Sequence, residues 1–118
     1  MVHKLYNLKK LEEIAQGNQE FIREMLVTFV ENVTTDISSI HSLKSAENWT
    51  AIAETAHKLA SNFAYLGATP LQVLAANIER SVLNERNLTG VADKTERLCD
   101  EGIMLVNQLK KDFCITCR

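Results

Sequence analysis

The sequence predicts an all-α fold, an up-down antiparallel four-helix bundle with a short N-terminal helix capping one end. Three observations carry this. Apolar residues recur at alternating steps of three and four almost throughout the chain. The 118 residues include only four Gly and one Pro, whereas a many-stranded fold needs turn residues every few positions. The breaks between periodic segments are short, and short connections make consecutive helices antiparallel neighbours. A chain of this length builds one core, so residues 1–118 are expected to form a single domain.

The elements follow in order. Asn7 is a competent N-cap for a short first helix with Leu8, Leu11 and Ile14 on one side, ending near Gly17. Asn18 caps the second, which runs from Gln19 to about Leu43 with Ile22, Leu26, Phe29, Val33, Ile37 and Ile40 on its apolar face. Residues 45–48 form a tight connection in which Ser45 or Asn48 caps the next helix. The third helix spans Trp49 to Leu66, with Ile52, Ala56, Leu59, Phe63 and Leu66 inward. At Gly67-Ala68-Thr69-Pro70 the Gly ends one helix, Thr69 caps the next, and Pro70 sits where a missing N–H costs nothing. Leu71, Leu74, Ile78 and Val82 mark a fourth helix that fades near Asn84. After the break at residues 87–90, a fifth helix carries Leu98, Leu105 and Leu109, widened by Ile103 and Val106, to about Phe113.

Composition excludes several classes of function. The formal charge of -2 lacks the clustered Lys and Arg that nucleic acid requires. No apolar run approaches the roughly 18 residues that span a bilayer, and Met1-Val2-His3-Lys4 is not built like a secretory signal. Three cysteines, Cys99, Cys114 and Cys117, cannot all pair within one chain, which fits a cytoplasmic protein with reduced thiols.

One residue stands out on the third helix. At about 100° per residue, His57 falls roughly 140° from the centre of the apolar cluster, so its ring should reach solvent. Its neighbours on the helix surface are Thr50, Ala53, Glu54, Ala60, Ser61 and Ala64, all small apart from Glu54. A neutral imidazole is a good nucleophile near neutral pH, and a phosphohistidine is energetic enough to pass its phosphoryl group to a carboxylate. Such a carrier needs the ring on a rigid support with bulky groups kept away. Periodicity alone also allows a solvated histidine without a role.

The segment Ala56-His57-Lys58-Leu59-Ala60-Ser61-Asn62-Phe63-Ala64-Tyr65-Leu66-Gly67-Ala68 resembles the histidine-containing phosphotransfer (HPt) domain. That signature reads His-x-Leu-Lys-Gly-Ser, a few small residues, then Leu-Gly-Ala. Leu8-x-x-Leu11-Glu12-Glu13-Ile14, Glu20-Phe21-Ile22, Phe29, Trp49 and Ile78-Glu79 are also similar to the family, so the resemblance covers nearly the whole chain. It implies that His57 accepts a phosphoryl group from the aspartate of one receiver domain and gives it to another in a multistep phosphorelay. It further implies a monomeric carrier rather than an enzyme. The partners would be response-regulator receiver domains and a hybrid sensor kinase. No cofactor is implied on this chain, with Mg²⁺ on the partner receiver.

Two positions depart from the family pattern. Where the family commonly has Lys and Gly, three and four residues after the histidine, this chain has Ala60 and Ser61. The phosphorylated state therefore has less local positive charge. Lys58, about 100° round the helix, snorkels back only partially. Ser61 is able to donate to a phosphoryl oxygen, with Asn62 assisting from the flank, and Ala64 keeps the surface open. A receiver-binding bundle without phosphotransfer is the alternative, and a plain structural bundle a third reading.

Glu54-Thr55-Ala56-His57 also fits the Glu-x-x-His pattern of di-iron bundles, but no other histidine has Glu three residues before it. Glu54 either tunes the basicity of His57 or solvates the helix. His3 and His41 read as surface residues. Cys114-Ile115-Thr116-Cys117 is a lone CxxC, short of two ligands for zinc.

Overall fold

The computed structural model describes residues 4–115. They form five α-helices: α1 (Lys9–Ala15), α2 (Gln19–Ser45), α3 (Trp49–Tyr65), α4 (Thr69–Glu79) and α5 (Val91–Phe113), with a π-helical segment, Arg80–Asn84, continuing α4. No strand occurs among the described residues. α2 packs on α3, α3 on α4, α4 on α5 and α5 back on α2, which closes the predicted four-helix bundle, and α1 lies against α2. The three-residue connections Ala46–Asn48 and Leu66–Ala68 leave no length for a crossover, so the helices they join run antiparallel.

Local chemistry sets the boundaries. The Asn18 side chain accepts from the Phe21 N–H at 3.1 Å and starts α2, and Asn48 accepts from Ala51 N–H at 3.3 Å and starts α3. Of the two candidate caps for α3, Asn48 is therefore the one used. Asn7 supplies the oxygen for α1 from one residue further out than expected: its Oδ1 accepts from Lys9 N–H at 2.9 Å while Leu8 holds the cap position. Thr69 is not a cap. It is the first residue of α4, Ala68 precedes it without a side-chain bond, and Pro70 sits in the first turn.

The core draws on every helix. Ile52, Ala56, Leu59 and Phe63 of α3 are completely buried, as are Leu26, Val33 and Ile40 of α2 and Leu98, Leu105 and Leu109 of α5. Burying each of these larger side chains stabilises the fold by roughly 1.5–3 kcal/mol before the entropy of ordering is counted. Three predicted core positions are corrected. Ile14 is 46% exposed, because the seven-residue α1 meets α2 along the narrow stripe of Leu11 and Ala15. Phe29 is only half-buried and stacks on Tyr65 at the bundle edge, with ring centroids 5.7 Å apart, while Val30, one turn after Leu26, fills the interior. Ile103 is exposed. Gly102 faces α2 instead, where an added Cβ would stand 2.7 Å from Ile37 Cδ1, so the missing side chain lets the two helices approach closely.

Candidate functional site

α3 presents two polar side chains in diverging directions from adjacent positions. His57 leans toward α4, and its Nδ1 lies 2.8 Å from Glu79 Oε2. Lys58 leans toward α2, and its Nζ lies 3.5 Å from Asp36 Oδ1. The rotation of about 100° between neighbouring residues produces this divergence. The rigid support expected of the site is present, since the face of α3 opposite His57 is the fully buried row Ile52, Ala56, Leu59 and Phe63.

Glu79 reaches the imidazole because of how α3 and α4 are connected. His57 lies nine residues before Leu66 and Glu79 eleven residues after Ala68. In an antiparallel pair rising 1.5 Å per residue, those offsets bring the two side chains to similar heights. Ile78 anchors this turn of α4 in the core, leaving Glu79 at the rim with its side chain 30% exposed. Glu79 is also the last α-helical residue before the π-helical segment, and Leu83 of that segment borders the hollow beside the ring.

The pairing has a chemical consequence. A carboxylate only accepts hydrogen bonds, so Nδ1 held 2.8 Å from Glu79 Oε2 favours the neutral tautomer with its proton on Nδ1 and its lone pair on Nε2. The His57 side chain is 66% exposed. It stands as a ridge between two shallow hollows. One is formed by Ala51, Glu54, Thr55, Lys58, Glu79 and Leu83. The other is formed by Asn32, Thr35, Asp36, Lys58, Ser61 and Asn62.

The sequence-derived candidates sort as follows. His57, Glu54, Lys58, Ser61 and Asn62 all border these hollows. Ala60 and Ala64 are half-buried and border neither, and Ala53 is fully buried, so it does not belong to the surface around the ring. The carboxylate paired with His57 is Glu79, and Glu54 borders the same hollow without an ion pair to the ring. In the sequence Glu79 stands out only through the family likeness. The signal that locates it is its distance from the α3–α4 connection. Asp36 was also missed, because a carboxylate on the core-facing side of α2 gives no sign of its partner in the sequence. His41 is exposed near the end of α2, while His3 and Cys117 lie outside the described residues. Cys114 is an exposed free thiol and Cys99 a buried one. Among the described residues, no group of three or more His, Cys, Asp or Glu is arranged to hold a metal ion, and no helix is long and apolar enough to cross a membrane.

The fold and this surface define a helical bundle with one exposed imidazole held at its rim by a carboxylate of the neighbouring helix. Residues 24–112 match the family described as the Hpt domain, and the chain belongs to that family. The family is a histidine phosphotransfer module of phosphorelays, a carrier rather than a conventional enzyme, whose members interact with receiver domains and kinases. Comparison with curated proteins and with solved structures gives no match.

Proposed function

We propose that this chain carries a phosphoryl group on Nε2 of His57 between receiver-domain aspartates. The observation that carries the reading is the Nδ1 contact to Glu79 on an otherwise exposed ring. In the step from donor to carrier, the Nε2 lone pair attacks phosphorus of the aspartyl phosphate. The N–P bond forms, the acyl P–O bond breaks, and the donor aspartate leaves as a carboxylate. The Nδ1 proton stays in place, so the phosphorylated ring has imidazolium character, which the Glu79 carboxylate stabilises. The second transfer reverses these events with a different aspartate. The acceptor aspartate and its Mg²⁺ belong to the receiver, and this chain contributes position, tautomer and access.

Ser61 and Asn62 border the second hollow, and in this reading their side chains donate to phosphoryl oxygens. The absence of a cation at Ala60 favours one competing reading, a bundle that binds receivers without taking phosphate. Incubation with a radiolabelled phosphorylated receiver separates the two. The carrier gains acid-labile, alkali-stable label that His57→Gln abolishes, and the ³¹P resonance of the product is that of Nε2-phosphohistidine. Label persisting in His57→Gln would move the site elsewhere, and stable binding without label would support the competing reading.

A further inference from the structure

Among the described residues, His57 and Lys58 are the two that border both hollows, and Lys58 is the one cation bordering either. Its side chain is 65% exposed and its Nζ meets Asp36 Oδ1 at 3.5 Å, a long, exposed pair of the kind that contributes little stability. Asp36 differs in character: its side chain is only 13% exposed, so it is held firmly by α2. The result is a mobile cation tethered loosely to a fixed carboxylate beside the exposed imidazole.

A phosphoryl group on Nε2 would place anionic oxygens in this same space. They carry more charge than one carboxylate and accept stronger, charge-assisted hydrogen bonds. A flexible four-carbon stem lets Lys58 turn from α2 toward the ring without moving the helix. We infer that Lys58 is the phosphoryl-binding cation of this chain and that Asp36 is its positioning residue, holding it beside His57 until phosphorylation draws it away. The inference rests on His57 being the phosphoryl carrier. It supplies from the next residue along, about 100° round α3, the positive charge missing at Ala60.

The test uses N-phosphoimidazole as donor, with the equilibrium between it and the protein phosphohistidine read by ³¹P NMR. Because both rings are imidazoles, the equilibrium constant isolates the influence of the protein. Lys58→Gln should shift it away from the phosphorylated protein by about three- to tenfold, the range of an exposed charge-assisted contact. Adding Ala60→Lys to that variant should restore most of the loss. Asp36→Asn should shift the equilibrium toward the phosphorylated protein, and by more in the wild-type background than in Lys58→Gln, because only the former has a cation to release. An unchanged equilibrium in Lys58→Gln would overturn the inference, as would equal gains from Asp36→Asn in both backgrounds, which would reduce Asp36 to simple repulsion. A wild-type protein that takes no phosphoryl group at His57 would instead overturn the carrier reading beneath it.

Discussion

Removing the Glu79 carboxylate tests the link between the His57 contact and phosphoryl transfer most directly. On the carrier reading, Glu79→Ala removes the carboxylate that favours the Nδ1–H tautomer and that would stabilise the phosphorylated ring. A hydrogen bond to a charged group is worth roughly 1.5–3 kcal/mol when shielded. Here the two side chains are 66% and 30% exposed, and screening brings the expected value to about 1–2 kcal/mol. That corresponds to about a 5–30-fold slower uptake of phosphate from a phosphorylated receiver. Glu79→Gln keeps an acceptor for Nδ1–H but not the charge, so its loss should be smaller, about two- to sixfold. Rapid-quench kinetics on the two variants measures both numbers. A thermal melt shows whether folding is intact, as expected for a side chain at the rim of α4. Transfer at the wild-type rate in Glu79→Ala, with the fold preserved, would refute the proposed role of the contact.

Two other outcomes are expected. Gly67 has φ +64, and a Cβ there would stand 2.3 Å from the Asn7 carbonyl oxygen, where Asn7 N–H also donates to Leu66 O at 2.9 Å. Gly67→Ala should therefore destabilise the protein by about 2–4 kcal/mol in urea unfolding, combining left-handed strain with the displaced hydrogen bond. Gly17→Ala, at φ +80 with open space around it, should cost only the strain, about 1–2 kcal/mol, and equal losses at the two sites would contradict this account. For the thiols, burial first and Asp100 second push Cys99 up to about 11. In the folded protein it should resist iodoacetamide while the exposed Cys114 reacts, as peptide-level mass spectrometry will show. Because its folded value is raised, its contribution to stability is complete below the unfolded value of 9.0 and declines as pH climbs toward 11. A melting temperature rising over that interval would argue against this contribution.

Much of the fold was legible because helical periodicity, capping residues and short connections agree with one another. Asn18 and Asn48 cap their helices, and every apolar position assigned to α3 is buried. The errors arose where periodicity could not decide. Phe29 and Val30 both lie near the apolar stripe of α2, and the pattern cannot say which turns inward. Gly102 was invisible as a core residue because its contribution is the absence of a side chain. The π-helical segment had no signature, since Val82 keeps the spacing of an ordinary helix after Ile78. At the site, the exposed His57 could be derived from one helix alone. Glu79 and Asp36 come from two others, and a pairing across helices depends on relative height and rotation, which a single sequence does not state.

The pairing of Nδ1 with Glu79 has a kinetic corollary. With one nitrogen committed, the ring offers a single reactive atom, so on the carrier reading donor and acceptor must use one berth in turn. Turnover should follow a ping-pong scheme in which each receiver, supplied in excess, competitively blocks the other. The ratio of the two receivers in the cell would then govern flux through this relay as strongly as the intrinsic chemistry does.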